Sequence, residues 1–105
     1  MSRHYKLAED GRTPVKVTFM EFLDWQVANQ DLLQVRHSQI GNYDVSTVFL
    51  GLNHNWRREG PPVLWETMVF GGRLDARMQS RYTSYEDALK GHEAILAAIR
   101  KAALG

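Results

Sequence analysis

The chain has 105 residues, a net charge of +1 and no cysteine. This length predicts a single domain, residues 1–105, which can bury a core without disulfides. The near-neutral charge provides no large basic field, so nucleic-acid binding is not the expected main function. The lack of cysteine excludes disulfides and thiolate metal sites and fits a reducing cytosol.

The chain also lacks the usual signals for membranes, cofactors and catalysis. No apolar run approaches the roughly 20 residues of a membrane-spanning helix, and residues 1–11 lack the apolar core of a signal peptide. No phosphate loop, dinucleotide fingerprint or nucleophile elbow is present, and the four histidines lack metal-ligand spacing. We therefore expect a cytoplasmic protein that is not an enzyme and needs no cofactor or metal.

The first elements are predicted to be a small hairpin and a helix. Two short apolar segments flank Asp10-Gly11, a pair that favours a tight turn, and Pro14 suggests a strand at a sheet edge. Thr18 and Glu21 match a capping box, so a helix is expected from Thr18 to near Asn29. Its predicted core-facing stripe is Phe19, Phe22, Leu23 and Val27, with Trp25 off the stripe.

The two longest apolar runs predict a long β-hairpin. They are residues 45–52, VSTVFLGL, and residues 62–70, PVLWETMVF, with a polar loop between them. A preceding strand is predicted over Gln34–Ile40, joined by a Gly41-Asn42 turn, and a following strand over Ala76–Tyr82.

The last element is predicted to be a helix capped by Thr83 or Ser84. Its apolar stripe includes His92, which we interpret as a hydrogen-bonded core histidine. The order is then β-β-α-β-β-β-β-α. This order predicts an α+β fold, an antiparallel β-meander with two helices packed on one face.

Strand registers inferred from the turns predict which side chains the helices leave uncovered. The short turn places Val35 opposite Val48 and Arg36 opposite Thr47. Centring the long loop places Phe49 opposite Glu66, and the last strand places Trp65 opposite Tyr82. The open face is then expected to carry Arg36, Val45, Thr47, Phe49, Leu64, Glu66, Met68, Phe70, Arg77 and Arg81.

This open face supplies most of the candidate site. Its apolar patch of Phe49, Met68 and Phe70 is typical of an interface. Arginine forks bind phosphate and aromatic rings stack on bases, so the same face suits a nucleotide. The predicted ligand- or partner-binding residues are Arg36, Phe49, Trp56, Glu66, Phe70, Arg77 and Arg81.

These predictions have simpler structural alternatives, and for Arg36, Arg77 and Arg81 the alternative is interspersed surface charge. Glu66 is predicted opposite Arg81, and the two could form a structural ion pair rather than contact a ligand. Trp56 stands beside Arg57 and Arg58 at a loop tip, where it could clamp a ligand or fold back on the sheet.

Three strings carry a resemblance: VSTVFLGLNHNW, GPPVLWETMVFGG and RYTSYEDALKGHEAI. They resemble a family of short proteins of tailed bacteriophages and prophages, and the resemblance extends from Val45 onward. It implies a small accessory protein in the bacterial host cytoplasm that binds a host protein or sequesters a small nucleotide. Inhibition of antiviral defence is the role that such an origin suggests.

Two other functions stay open at this stage. The chain could be a structural or assembly homodimer that uses the open face and binds no ligand. It could also be a weak nucleic-acid binder, although its low net charge argues against strong affinity.

Overall fold

The computed structural model describes residues 3–57, 59–72 and 79–104. The elements in chain order are β1 (His4–Leu7), β2 (Pro14–Val17), α1 (Phe19–Ala28), α2 (Gln30–Leu33), β3 (Gln34–Ile40), β4 (Tyr43–Phe49), β5 (Trp65–Phe70), β6 (Gln79–Tyr82) and α3 (Tyr85–Leu104). The predicted α+β class and β-meander are confirmed. The short helix α2 is an addition to the predicted order, and residues 76–78 of the last predicted strand lie outside the described residues.

The strands form an antiparallel meander and a smaller hairpin. The meander has the order β3-β4-β5-β6, and β1 pairs with β2 in a separate two-stranded sheet. The hairpin is tied to the meander where His4 pairs with Leu52 and the Tyr5 N–H donates to the Gly51 carbonyl. Pro14 therefore lies on the strand farther from the meander, as its missing N–H predicts.

Both long helices begin at the predicted caps. Thr18 Oγ1 accepts from the Glu21 N–H, and Glu21 Oε1 accepts from the Thr18 N–H, which completes the capping box of α1. Asn29 caps the C-terminal end of α1. Ser84 Oγ accepts from the Asp87 N–H at the start of α3.

Helix α3 covers one face of the meander and contacts all four of its strands. Ile95, Leu96 and Ile99 are buried against Val45 and Val69. A second cluster at the other end of the sheet contains Leu7, Phe49, Leu64, Trp65 and Ala88. The predicted apolar stripe of the last helix is therefore its core face.

His92 joins α3 to the sheet through a buried polar chain. Its Nε2 lies 2.9 Å from Ser38 Oγ, its Nδ1 lies 2.7 Å from Thr47 Oγ1, and Thr47 also bonds to Thr67. Burial lowers the pKa of His92, with smaller and opposing effects from the nearby charges. The neutral ring is thus favoured, and the predicted core histidine is confirmed.

The predicted register of the long hairpin is wrong by one residue. Phe49 pairs with Trp65 and Val48 with Glu66. The strand leaves the sheet at Gly51, whose positive φ turns the chain toward β1, so the loop is not centred as assumed. A one-residue slip exchanges the faces of a strand, so Val45, Thr47 and Phe49 are buried in the core.

The register of β3 against β4 is correct at Arg36, which pairs with Thr47, but not at Val35. Gln34 pairs with Val48 instead, and an irregularity between Gln34 and Arg36 absorbs the extra residue. Val35 still packs against the core. The predicted pairing of Trp65 with Tyr82 is confirmed.

The predicted core stripe of α1 is also wrong. Phe22 is buried and Trp25 packs against Phe49, with ring centroids 5.9 Å apart. Phe22 sits directly over Gly51, where an added Cβ would overlap the phenyl ring. The helix is therefore seated by Phe22 and Trp25. Leu23 and Val27 face outward, and Phe19 is half exposed beside the ring of His4, with centroids 5.0 Å apart.

Candidate functional site

The structure disperses the predicted open-face site. Phe49 lies in the core between Trp25 and Trp65, so its assignment to a binding surface is wrong. Arg36 lies on the helix-covered side, where its Nη1 is 2.7 Å from Glu93 Oε1 on α3. Both corrections have one cause. The β4–β5 register puts Thr47 and Phe49 on the covered face of the meander, and Arg36, which pairs with Thr47, lies on the same face. Arg77 and Arg58 lie outside the described residues.

Glu66 and Arg81 do face each other on the open face of the meander. Glu66 Oε2 accepts from Arg81 Nε at 2.8 Å and from Gln79 Nε2 at 2.7 Å. The Glu66 side chain is almost fully buried, and these two charge-assisted bonds satisfy it. The ion pair accounts for Glu66 without a ligand.

The remainder of the open face is mostly polar and internally paired. His37 Nε2 lies 3.0 Å from Asp44 Oδ1, and Gln34 Nε2 donates to Ser46 Oγ at 3.2 Å. Phe70 is 41% exposed at the end of β5. With Phe49 in the core, the predicted apolar patch is reduced to Phe70 and the half-buried Met68.

A larger apolar surface lies on α1, where the sequence prediction placed a core. Successive residues of an α-helix are rotated by about 100° around its axis. The four exposed apolar side chains of α1 therefore fall within a sector about 100° wide. We call this surface the outer arc; it consists of Phe19, Met20, Leu23 and Val27. Their exposed fractions range from 36% to 76%.

The borders of the outer arc are polar and acidic. By helical position Asp24 lies beside Met20 on one border and Gln26 beside Phe19 on the other. Glu21 lies beyond Asp24, and hydrogen bonding to Thr18 holds its pKa below the usual value. Helix α1 carries no basic residue. The surface is therefore apolar at its centre and negatively charged on one side.

The sequence did contain a signal for this surface. Six of the ten residues of α1 are large and apolar, more than one core-facing stripe uses. They are Phe19, Met20, Phe22, Leu23, Trp25 and Val27. Of these, Phe22 packs over Gly51 and Trp25 packs against Phe49.

Trp56 lies in the loop between β4 and β5 and is 69% exposed. The guanidinium of Arg3 stacks over its ring at 4.4 Å, and His54 contacts the ring in an edge-on geometry at 6.1 Å. The indole does not fold back on the sheet. Arg3, which sequence reasoning did not single out, is the residue that supports it.

Backbone contacts hold Arg3 and the loop in place. Arg3 Nη2 donates to the carbonyls of Asn53 and Asn55 at 2.8 and 2.7 Å. Asn53 Oδ1 accepts from the N–H groups of Asn55 and Val63 at 2.8 and 3.0 Å. Asn55 Nδ2 donates to the carbonyls of Glu59 and Pro61. The loop is thus braced by two asparagine side chains from within.

An open cleft of about 580 Å³ separates the β1-β2 hairpin from α1 and α2. Its walls include Leu7, Trp25 and Leu32, with Lys6 and Asn29 as polar groups. Trp25 and Asn29 lie on the side of α1 away from the outer arc. None of the predicted site residues lines this cleft.

Among the described residues no group of three or more acidic or histidine side chains is arranged to hold a metal ion. The helices of the described part of the chain are each too short or too polar to cross a bilayer. Comparisons of the chain with family models, with curated proteins and with solved structures give no match.

Proposed function

We propose that this chain is a small accessory binding protein that engages a protein partner through the outer arc of α1. The observation that supports it is the exposure of four large apolar side chains on one side of a helix whose other side is seated in the fold. Together they expose on the order of a few hundred Å², the size of the largest apolar patch on a typical monomer, which is often functional. Residues at this spacing are the anchors by which a helix enters an apolar groove.

The charges around the outer arc define the kind of partner. Asp24 makes one border negative, whereas Glu21 beyond it is bonded to Thr18 and acted on electrostatically by Lys6 of β1. A complementary partner therefore presents an apolar groove or helix face with lysine or arginine along one rim. Such charges favour the correct orientation and speed association.

A second copy of the chain fits the outer arc less well. When two identical helices pack antiparallel across a two-fold axis, the same side of each helix meets its counterpart. Asp24 would then lie beside Asp24 of the other copy, and like charges at an interface are unfavourable.

The proposed partner is a bacterial host protein. This part of the proposal rests on the resemblance of residues from Val45 onward to small proteins of tailed phages and prophages, for which a cytoplasmic accessory role that inhibits antiviral defence is expected. The outer arc adds the surface on which such an interaction could occur.

The test compares two variants of α1 that receive the same residue. In L23Q/V27Q glutamine replaces two members of the outer arc. In Ala28→Gln it replaces an exposed residue on the same helix outside the arc. Tagged wild type and both variants are used to capture proteins from a bacterial lysate, and each candidate is then purified and its affinity measured by calorimetry. We expect a partner that binds wild type and Ala28→Gln alike and L23Q/V27Q at least about tenfold more weakly.

Asp24→Asn tests the charge of the partner. This variant should bind the same partner more weakly, and its affinity should depend less on salt. A purified partner that binds L23Q/V27Q as well as wild type would refute the outer arc as its site. A wild-type dimer in sedimentation that L23Q/V27Q converts to a monomer would refute the protein-partner proposal in favour of self-association.

A further inference from the structure

We propose that the Arg3–Trp56 stack is a preformed platform for the base of a nucleotide, with Arg57 placed to meet its phosphate. The platform is separate from α1 and does not depend on the function proposed above. Its starting point is that the large, exposed indole of Trp56 is already held on one face by Arg3, at 4.4 Å, while most of its surface faces solvent.

Contacts within the chain hold the platform in place before any ligand binds. Two carbonyl bonds fix Arg3, and His54 contacts the edge of the Trp56 ring. His54 is itself oriented by the bond from its Nδ1–H to the Leu52 carbonyl at 2.7 Å. A side chain that is ordered in advance loses less conformational freedom on binding, which favours stacking at this position.

The cation behind the ring selects the chemistry of the ligand. The negative potential of the Trp56 π-face already interacts with the Arg3 guanidinium. A second cation on the free face would meet a ring that is already shared and would be repelled by Arg3. A ligand with a planar ring and a negative charge can stack on the Trp56 ring and also be attracted by Arg3. A nucleotide has both, in its base and its phosphate.

Charges along the loop agree with an anionic group beside the stack. Arg57 follows Trp56 directly and is exposed, and its backbone N–H is bound by Asn55 Oδ1 at 3.0 Å. Glu59 is the opposing acidic side chain of this loop, so the described loop residues with Arg3 remain net positive. The weak overall charge of the chain argues for a free nucleotide or a short single strand rather than long duplex nucleic acid.

The experiment follows the indole N–H signals of the protein by NMR during titration. The chain has three tryptophans, and Trp56→Phe identifies the signal of Trp56. The ligands are AMP, a short single-stranded oligoadenylate, adenosine without phosphate, and ribose phosphate without a base. We expect AMP to shift the Trp56 signal to saturation, adenosine to bind more weakly, and ribose phosphate to leave the ring unchanged.

Variants separate the roles within the platform. By calorimetry, which needs no Trp56 signal, Trp56→Ala should weaken AMP binding by about tenfold or more, and Trp56→Phe should retain part of it. Arg57→Ala should weaken AMP but not adenosine, whereas Glu59→Gln should strengthen AMP. Arg100→Ala, which removes an exposed arginine from α3, is the matched control and should change nothing.

The outcomes distinguish the sources of the ligand and can overturn the proposal. Tighter binding of the oligoadenylate than of AMP identifies a single strand as the ligand, and equal binding identifies a free nucleotide. If neither perturbs Trp56, or if Trp56→Ala binds both as well as wild type, the platform does not bind nucleotides. Either result leaves the proposal for the outer arc of α1 intact, because no residue is shared.

Discussion

Helices α1 and α3 differ in apolar content and in its use: six of the ten residues of α1 are large and apolar against six of the twenty of α3, yet α3 buries more of them. Helix α3 turns Ile95, Leu96 and Ile99 toward the sheet and adds the buried contacts of His92. Helix α1 turns Phe22 and Trp25 inward and leaves four large apolar residues in solvent. The comparison shows that an apolar helix face contributes to folding only where a broad enough surface receives it. The face that remains exposed is available for binding.

The largest expected difference in stability between the two helices comes from truncating one leucine in each. Leu96 is 4% exposed on α3 and Leu23 is 36% exposed on α1. Leu96→Ala should lower the free energy of unfolding by about 2–5 kcal/mol because it leaves a cavity. Leu23→Ala should lower it by about 1 kcal/mol or less because water already reaches the site. Urea denaturation measures the free energy of unfolding of both variants. Equal decreases would mean that Leu23 is packed as deeply as Leu96.

A pair of glycines tests how α1 is held. Gly51 and Gly41 both have φ in the left-handed region, but only at Gly51 would an added Cβ meet Phe22; at Gly41 it meets open space. Gly51→Ala should cost about 2 kcal/mol or more, from backbone strain and overlap together, and Gly41→Ala about 1 kcal/mol from strain alone.

Hydrogen exchange locates the effect of the Gly51 change. In Gly51→Ala the amides of α1 should lose protection first, while those of α3 keep it, because only α1 is seated on this glycine. Loss of protection in both helices at once would show that they unfold as one unit and that the comparison between them fails.

The smallest expected effect concerns pH and α3. Burial lowers the pKa of His92 below the ordinary imidazole value of about 6.5, so just below that pH the unfolded chain binds more protons than the folded one. Stability is therefore greatest above pH 6.5 and decreases as the pH falls through the lowered folded value. Glu93, Arg36 and His37 act on the ring electrostatically. Thermal unfolding between pH 7.5 and 5 should show a smaller decrease in His92→Gln than in wild type.

Most of the fold could be predicted from the sequence because its signals are local. The capping box of Thr18 and Glu21, the Gly41-Asn42 turn and Ser84 each determine structure within a few residues. The core role of His92 followed from its place in a long apolar stripe. These predictions are confirmed.

The candidate site could not be predicted in the same way, because it depends on long-range pairing. The register of β4 and β5 changes where Gly51 leaves the sheet to join β1, forty-six positions earlier in the chain at Tyr5. That single slip moves Phe49 to the core. Arg3 is likewise brought to Trp56 by strand pairing, and no local pattern around either residue indicates the contact.

The central claim is that the outer arc of α1 is not needed for folding and is needed for binding. The most direct measurement is urea denaturation of L23Q/V27Q, wild type and Ala28→Gln alongside their affinities for the same purified partner. We predict free energies of unfolding that agree within about 1 kcal/mol, with affinity lost only in L23Q/V27Q. A loss of stability comparable to that of Leu96→Ala, or affinity that survives the double substitution, would contradict it.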